Sequence, residues 1–364
     1  MQRISTVDII KLFASILIFS MHCVVFDDPL TNHVLELEAR WGVPFFFTVS
    51  SYFLFSKCRR RRGRSRALKR YLKRIIVLYG VWAVYNIPNI LHTWFRDGVF
   101  TPETIASFLR GLVLSSSFTG SWYLVSCLFS AVVIYFLSKF LNDGVILAIA
   151  FVPQVLRTLY SMVGAAAPED VTALLGLIDP ETAKAILGLF GSFDWDSLLG
   201  FVRFVHFPLN LMGGFFYFAL GKFLADHEAL IAKAIPVVCL VLLAISHFLF
   251  VASTQVFLSH NTVVLTDYGF GLAIAATMIV ILALRSDIQI TPSDKSLVLR
   301  RLSTIIYCGQ GNILIAKGPI ADVLGLHSHV YEYLIACIMM VALCAFIMFL
   351  QSVPSWRRWT KYLT

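Results

Sequence analysis

Charge is scarce in this sequence. Lys, Arg, Asp and Glu together make up 14% of 364 residues, against about 25% in ordinary soluble domains. A soluble fold of this size needs more polar side chains to cover its surface, which argues against a soluble enzyme. Familiar catalytic signatures are missing too: there is no HExxH, no P-loop and no GxSxG. The nine His are scattered. His327 and His329 are neighbours in a short loop without a third ligand, so no metal site is read. The seven Cys show neither CxxC nor metal-ligand spacing. Six fall inside apolar runs, where they serve as small packing residues rather than disulfide partners. No internal repeat, inverted or direct, points to a transporter. Nothing marks off a separate soluble domain, so 1–364 is read as a single transmembrane domain.

What is abundant is apolar length. The hydrophobic share is 58%, or about 211 residues, enough for about ten spans of about 20 residues each. The runs are continuous rather than alternating, which excludes an outer-membrane barrel. They cover 4–26, 42–56, 71–91, 122–140, 144–164, 200–224, 231–252, 262–284, 303–324 and 330–352. The second is short, and the ninth carries Gln310, Asn312 and Lys317. A further amphipathic stretch, 103–116, is too short to span and suits the interface. The first run carries Lys11 and has no small-x-small cleavage site, so it is expected to stay as a helix. The expected fold is an all-α polytopic membrane protein, a bundle of about ten transmembrane helices.

Orientation follows from the loop charges. Residues 57–74 (KCRRRRGRSRALKRYLKR) hold eleven basic residues and no acid. That loop is expected on the cytoplasmic side, with both termini inside. The long segment 165–199, expected outside, carries Glu169, Asp170, Asp179, Glu181, Asp194 and Asp196. The net charge of +9 therefore reads as membrane topology, and no nucleic-acid partner is expected.

Ionisable groups inside spans are costly, so they mark candidate chemistry. Lys11 and His22 are eleven residues apart, three helical turns, on one face and about 16 Å apart along the axis. Asp8 is placed to pair with Lys11 at i, i+3. Each also has a plain structural role, Lys11 as a snorkelling anchor and His22 as an interfacial residue. In the sixth span Arg203, His206 and Asn210 share a face at i, i+3 and i+7, lining an acceptor side or closing a hydrogen-bond network. Arg157 in the fifth span is a similar candidate. His247 and Asn86 are expected to make single interhelical bonds.

These residues give the chain a resemblance to the acyltransferase-3 family of integral membrane acyltransferases. Members have about ten helices and, in the first, a basic residue and a His separated by ten positions; Lys11 and His22 match, with Lys in place of the commoner Arg. Trp41-Gly42-Val43-Pro44-Phe45-Phe46-Phe47-Thr48-Val49-Ser50-Ser51-Tyr52-Phe53-Leu54 resembles the family's second-helix signature, with Ser51 where Gly is usual. Gly120-Ser121-Trp122-Tyr123-Leu124 is similar to the opening of the fourth helix, and Pro208 to Lys222 to the Gly- and Phe-rich sixth. In the ninth, Ser303 and Tyr307 match a Ser-x3-Tyr-x2-His pattern, with Gln310 in place of the His.

The resemblance implies transfer of an acyl group, often acetyl, from cytoplasmic acyl-CoA to a hydroxyl of an envelope glycan or other acceptor. Acyl-CoA is then a co-substrate, and no permanently bound cofactor is implied. His22 is the expected general base, and Lys11 is expected to meet the donor or hold the tunnel through Asp8. Arg157, Arg203, His206, Asn210, Tyr307 and Gln310 are the expected lining of the donor or acceptor side. One or two residues of the Arg-rich segment are expected to touch CoA, the rest serving topology and anionic lipid. The implied location is the cell membrane, multi-pass, in a bacterium. Two alternatives stand beside this one: a transporter or flippase, and an accessory protein with decayed catalysis.

Overall fold

The computed structural model describes residues 2–3, 5–60, 64–96, 101–102, 105, 109, 118–165, 211–258, 271–287, 291–360 and 362–364. In chain order the elements are β1 (Gln2–Arg3), α1 (Thr6–Cys23), α2 (Pro29–Ala39), α3 (Gly42–Arg60), α4 (Arg64–Tyr85), α5 (Ile87–Arg96), α6 (Trp122–Leu137) and α7 (Asp143–Ala165). They continue with α8 (Phe215–Asp226), α9 (Glu228–Lys233), α10 (Pro236–Leu258), α11 (Leu272–Asp287), β2 (Thr291–Pro292), α12 (Asp294–Val323), α13 (His329–Ser352) and α14 (Pro354–Thr360). The only strand pairing among the described residues is the two-residue parallel pair β1–β2, Gln2 opposite Thr291 and Arg3 opposite Pro292.

That short pair begins a seam running along α1. Ser5 caps the helix, its side chain accepting from the Asp8 amide, which satisfies one of the free N–H groups of a first turn. Asp287, at the end of α11, accepts from Ser5 Oγ, from Thr6 N at 2.9 Å and from Val7 N at 3.0 Å. A carboxylate there also suits the positive end of the helix dipole. Ser296 Oγ accepts from Ser5 N at 2.7 Å. Further along, Arg300 grips the buried Asp8 and Ser303 Oγ donates to the Lys11 carbonyl at 3.1 Å. Helices α1 and α12 thus run parallel in a fixed register.

The other major seam joins α3 to α8, and it is made of backbone proximity. A Cβ on Gly221 would stand 2.2 Å from the Thr48 carbonyl oxygen, and one on Gly214 would stand 2.1 Å from the Phe47 ring. Only glycine fits such distances, and small residues at helix contacts are how apolar helices approach closely. Ser51 fits because its hydroxyl donates to the Phe218 carbonyl opposite Gly221. Two apolar cores flank the resulting gap. One is built on α3, α6, α7 and α8 around Phe45, Phe47, Ile146 and Phe218. The other is built on α1, α4, α12 and α13 around Ile18, Trp82, Ile305 and Met340.

Two described helices are by themselves long and apolar enough to cross a membrane, Thr6–Cys23 and His329–Ser352. The other expected spans coincide with helices that are shorter, carry more charge, or extend into residues that are not described. The third, 71–91, is interrupted at Asn86, where α4 gives way to α5. Pro88 has no N–H to donate to the Val84 carbonyl four residues earlier, so the helical ladder is broken across this point. The ninth is longer than expected, a 30-residue helix. The basic segment 57–74 is also different: α3 continues to Arg60 and α4 starts at Arg64. Lys and Arg are good helix formers, so most of this charge is displayed on two helix ends. A wide apolar surface is exposed on α10 and α13, for example Val237, Phe248, Ile338 and Val341, each 67% exposed or more. Contiguous apolar surface of that kind needs lipid or a partner to cover it.

Candidate active site

Between the two cores lies a cavity of about 500 Å³. It is enclosed by single faces of five helices: α1 gives Lys11; α3 gives Phe46, Ser50, Phe53, Leu54 and Lys57; α4 gives Arg70, Tyr71, Arg74, Ile75 and Leu78, with Ala67; α6 gives Tyr123 and Leu124; α12 gives Arg300, Ser303, Thr304, Tyr307 and Cys308. The spacing explains the convergence, because residues three, four and seven apart share a helix face. Five of the described lining residues are cations, Lys11, Lys57, Arg70, Arg74 and Arg300, and none is an acid. Lys57, Arg70 and Arg74 are solvent-exposed, so the charged end is open.

Asp8 sits behind this wall at 1% exposure. It accepts from Arg300 Nε at 3.1 Å and from Arg300 Nη2 at 2.8 Å, and Lys11 Nζ stands 4.0 Å away. The bidentate fork fixes the guanidinium plane. Lys11 Nζ also lies 5.4 Å from the centre of the Phe53 ring, within range of a cation–π contact. One buried carboxylate therefore holds two cations at the cavity, and the cavity keeps a positive excess.

The far end is aromatic. The rings of Phe46, Tyr123 and Tyr307 meet at centroid distances of 5.5 to 6.2 Å. Tyr307 Oη donates to the Gly120 carbonyl at 3.1 Å, and Ser50 Oγ and Tyr71 Oη are 2.9 Å apart. The two ends differ in kind: exposed cations at the mouth, and a ring-walled pocket with a few fixed hydroxyls inside.

Of the residues singled out in the sequence, the structure brings Asp8, Lys11 and Tyr307 together here. Gln310 is fully buried one turn beyond Tyr307 on α12. His22 is not a lining residue; it is exposed in the last turn of α1, two residues before Val24 adopts a left-handed conformation. Beside it, Ser20 Oγ and Tyr333 Oη are 2.8 Å apart, and Lys317 is ion-paired to Glu332. Arg203, His206 and Asn210 lie outside the described residues, as do most of 103–116 and all of 166–199, and the side chain of Arg157 is not described. His247 makes an interhelical contact to Glu38 at 3.0 Å. Asn86 Nδ2 donates to the Trp82 carbonyl at 2.8 Å and to the Cys308 carbonyl at 3.2 Å.

Arg300 is the main lining residue that sequence reasoning misses. The available signal was its spacing: Arg300, Ser303 and Tyr307 fall at i, i+3 and i+7, which extends the ninth-helix pattern by one turn. The segment 57–74 supplies three lining cations, Lys57, Arg70 and Arg74.

A family model described as an acyltransferase domain matches residues 4–349. No curated protein and no solved structure matches the chain.

Proposed function

The chain belongs to the acyltransferase-3 family and is a membrane acyltransferase; on that premise we propose that it moves an acyl group, acetyl in the simplest case, from cytoplasmic acyl-CoA to a hydroxyl of a cell-envelope glycan. The observation that carries this reading is the cavity with five cations, no lining acid and an aromatic inner end. CoA has the complementary form: a nucleotide with several phosphates, a long neutral arm and a terminal thioester. Arg and Lys match phosphate oxygens in charge and geometry. The volume is within the range of small-molecule sites. The basic run that supplies Lys57, Arg70 and Arg74 is the segment expected inside by the positive-inside rule, which is where acyl-CoA is made. On this reading the chain is multi-pass in the plasma membrane, with both termini inside.

In this assignment Lys11 and Arg300, tied together by Asp8, face the phosphates or the polar arm. Tyr307 and Tyr123 flank the arm near the thioester. His22, about 16 Å further along α1 than Lys11, serves the acceptor. Its neutral imidazole removes the proton of the acceptor hydroxyl; the hydroxyl oxygen bonds to the thioester carbon; the C–S bond breaks; and the departing CoA thiolate takes up the proton. A base with its pKa near neutral suits this step.

The direct test is incubation of the purified full chain, reconstituted in vesicles, with radiolabelled acetyl-CoA and membrane glycans. Label on a glycan hydroxyl is the expected outcome, and His22→Ala should remove it at unchanged protein level. Absence of acyl transfer and of CoA binding in the wild type overturns the reading.

A further inference from the structure

Gln310 is the buried polar group that the reading above leaves unused. Helix α12 presents Arg300, Ser303, Tyr307 and Gln310 along one face. The first three line the cavity, and Gln310, 0% exposed, comes next. Its amide nitrogen and its amide oxygen both lack a hydrogen-bond partner among the described residues. Buried carboxamides are ordinarily satisfied, because an unmade hydrogen bond there is costly.

Its surroundings are close-packed. A Cβ on Gly120 would stand 3.2 Å from Gln310 Nε2 and 3.4 Å from Tyr307 Oη. Gly120 has φ of +82°, a conformation that side-chain-bearing residues rarely take. The amide, the Tyr307 hydroxyl and the Gly120 backbone thus converge on one point behind the aromatic end of the cavity.

Depth along the bundle gives that point its meaning. Arg300 bonds Asp8 and Ser303 bonds the Lys11 carbonyl, an offset of 292 residues in both cases. On the same register Gln310 is level with Ile18 (310 − 292 = 18). At 1.5 Å per residue that is about 10 Å beyond Lys11 and about 6 Å short of His22. In depth along the bundle Gln310 therefore lies between Lys11 and His22.

We propose that Gln310 is a catalytic residue that binds the thioester carbonyl of the donor. Its Nε2–H donates to the carbonyl oxygen and stabilises the negative charge that collects there as the acceptor oxygen bonds to the carbon and before the C–S bond breaks. As the acceptor approaches, its hydroxyl donates to Oε1; the O–H then turns to His22, whose ring nitrogen takes the proton as the oxygen bonds to the carbon. A carboxamide offers one donor and one acceptor side by side without charge, which is the pair these two partners require. The assignment rests on the acyl-CoA reading and adds to it the recognition of acyl-CoA over free CoA.

The test measures Kd for CoA and for acetyl-CoA on the purified full chain, together with kcat for labelled transfer. Gln310→Leu removes both polar atoms, Gln310→Met does so at nearly constant shape, and Gln310→His restores a donor. The wild type should prefer acetyl-CoA to CoA. Leu and Met variants should bind CoA as the wild type does, lose about five-fold of the acetyl-CoA preference, and lose about 10²-fold in kcat; the His variant should recover part of both. An unchanged preference and kcat in Gln310→Met, with CoA still bound, overturns the role of Gln310 and leaves the donor reading standing. Failure of the wild type to bind CoA at all overturns both. Should Gln310→Leu not fold, Gln310→Met decides alone.

Discussion

Helices α1 and α12 meet through charge and hydroxyl bonds, whereas α3 and α8 meet through bare backbone. In the first pair a buried carboxylate, a guanidinium fork and two serine contacts fix the register. In the second, Gly214 and Gly221 let one helix sink against the other, and Ser51 adds one hydroxyl contact. The difference teaches where chemistry sits in such a bundle. Backbone contact leaves no room for a ligand between the helices, so that seam is scaffold. Polar contact between apolar helices leaves groups only partly used, and these become the wall of a site. Lys11 and Arg300 both hold α1 to α12 and face the cavity.

The strongest test of this contrast is Gly221→Val. With the Thr48 carbonyl oxygen 2.2 Å from where a Cβ would go, relief requires the helices to part, and a loss of ~3 kcal/mol or more is expected. The measurement is recovery of monodisperse protein and its thermal midpoint in detergent. A normal midpoint would remove the scaffold role of the α3–α8 seam.

On the α1 side the expected effect is on rate rather than folding. His22→Ala should lower kcat by roughly 10²–10⁴-fold at an unchanged thermal midpoint, because the side chain is exposed and closes no core. A variant with full activity would take His22 out of the mechanism.

Asp8→Asn probes the two roles together. It leaves Arg300 and Lys11 side by side without their shared anion. Asp8 is buried, but Arg300 is 38% exposed and solvent screens it, so a loss of about 1–3 kcal/mol is expected. The KM for acyl-CoA should rise about ten-fold as the guanidinium loses its fixed plane. A stability loss with unchanged KM would separate the seam from the site and break the comparison.

The smallest effect belongs to Ser51→Gly. It removes one hydrogen bond and adds chain freedom, costing about 1 kcal/mol, with kcat and KM as in the wild type. A change in KM would show that the α3–α8 seam also shapes the cavity.

Some of this was legible from residue order alone. The apolar runs located the helices, and the Lys11–His22 spacing with Asp8 before it identified α1 as the helix to watch. Tyr307 and Gln310 were legible as one face of the ninth helix, since three residues make one step along a helical stripe. Arg300 was not, because pairing across 292 residues leaves no local trace. The break at Asn86 is blurred by hydropathy, which does not register that Pro88 lacks a backbone N–H.

The sequence by itself determined the class of protein and its family, because apolar run length, loop charge and short motifs are local quantities that any fold of the chain must express. Only the tertiary structure decided that Lys11, Lys57, Arg70, Arg74 and Arg300 share one wall, and that Gln310 is enclosed without a partner among the described residues. Both depend on register between helices distant in sequence. That register is set by a few cross-chain contacts, here Asp8 to Arg300 and Lys11 to Ser303, which periodicity along a single helix does not encode.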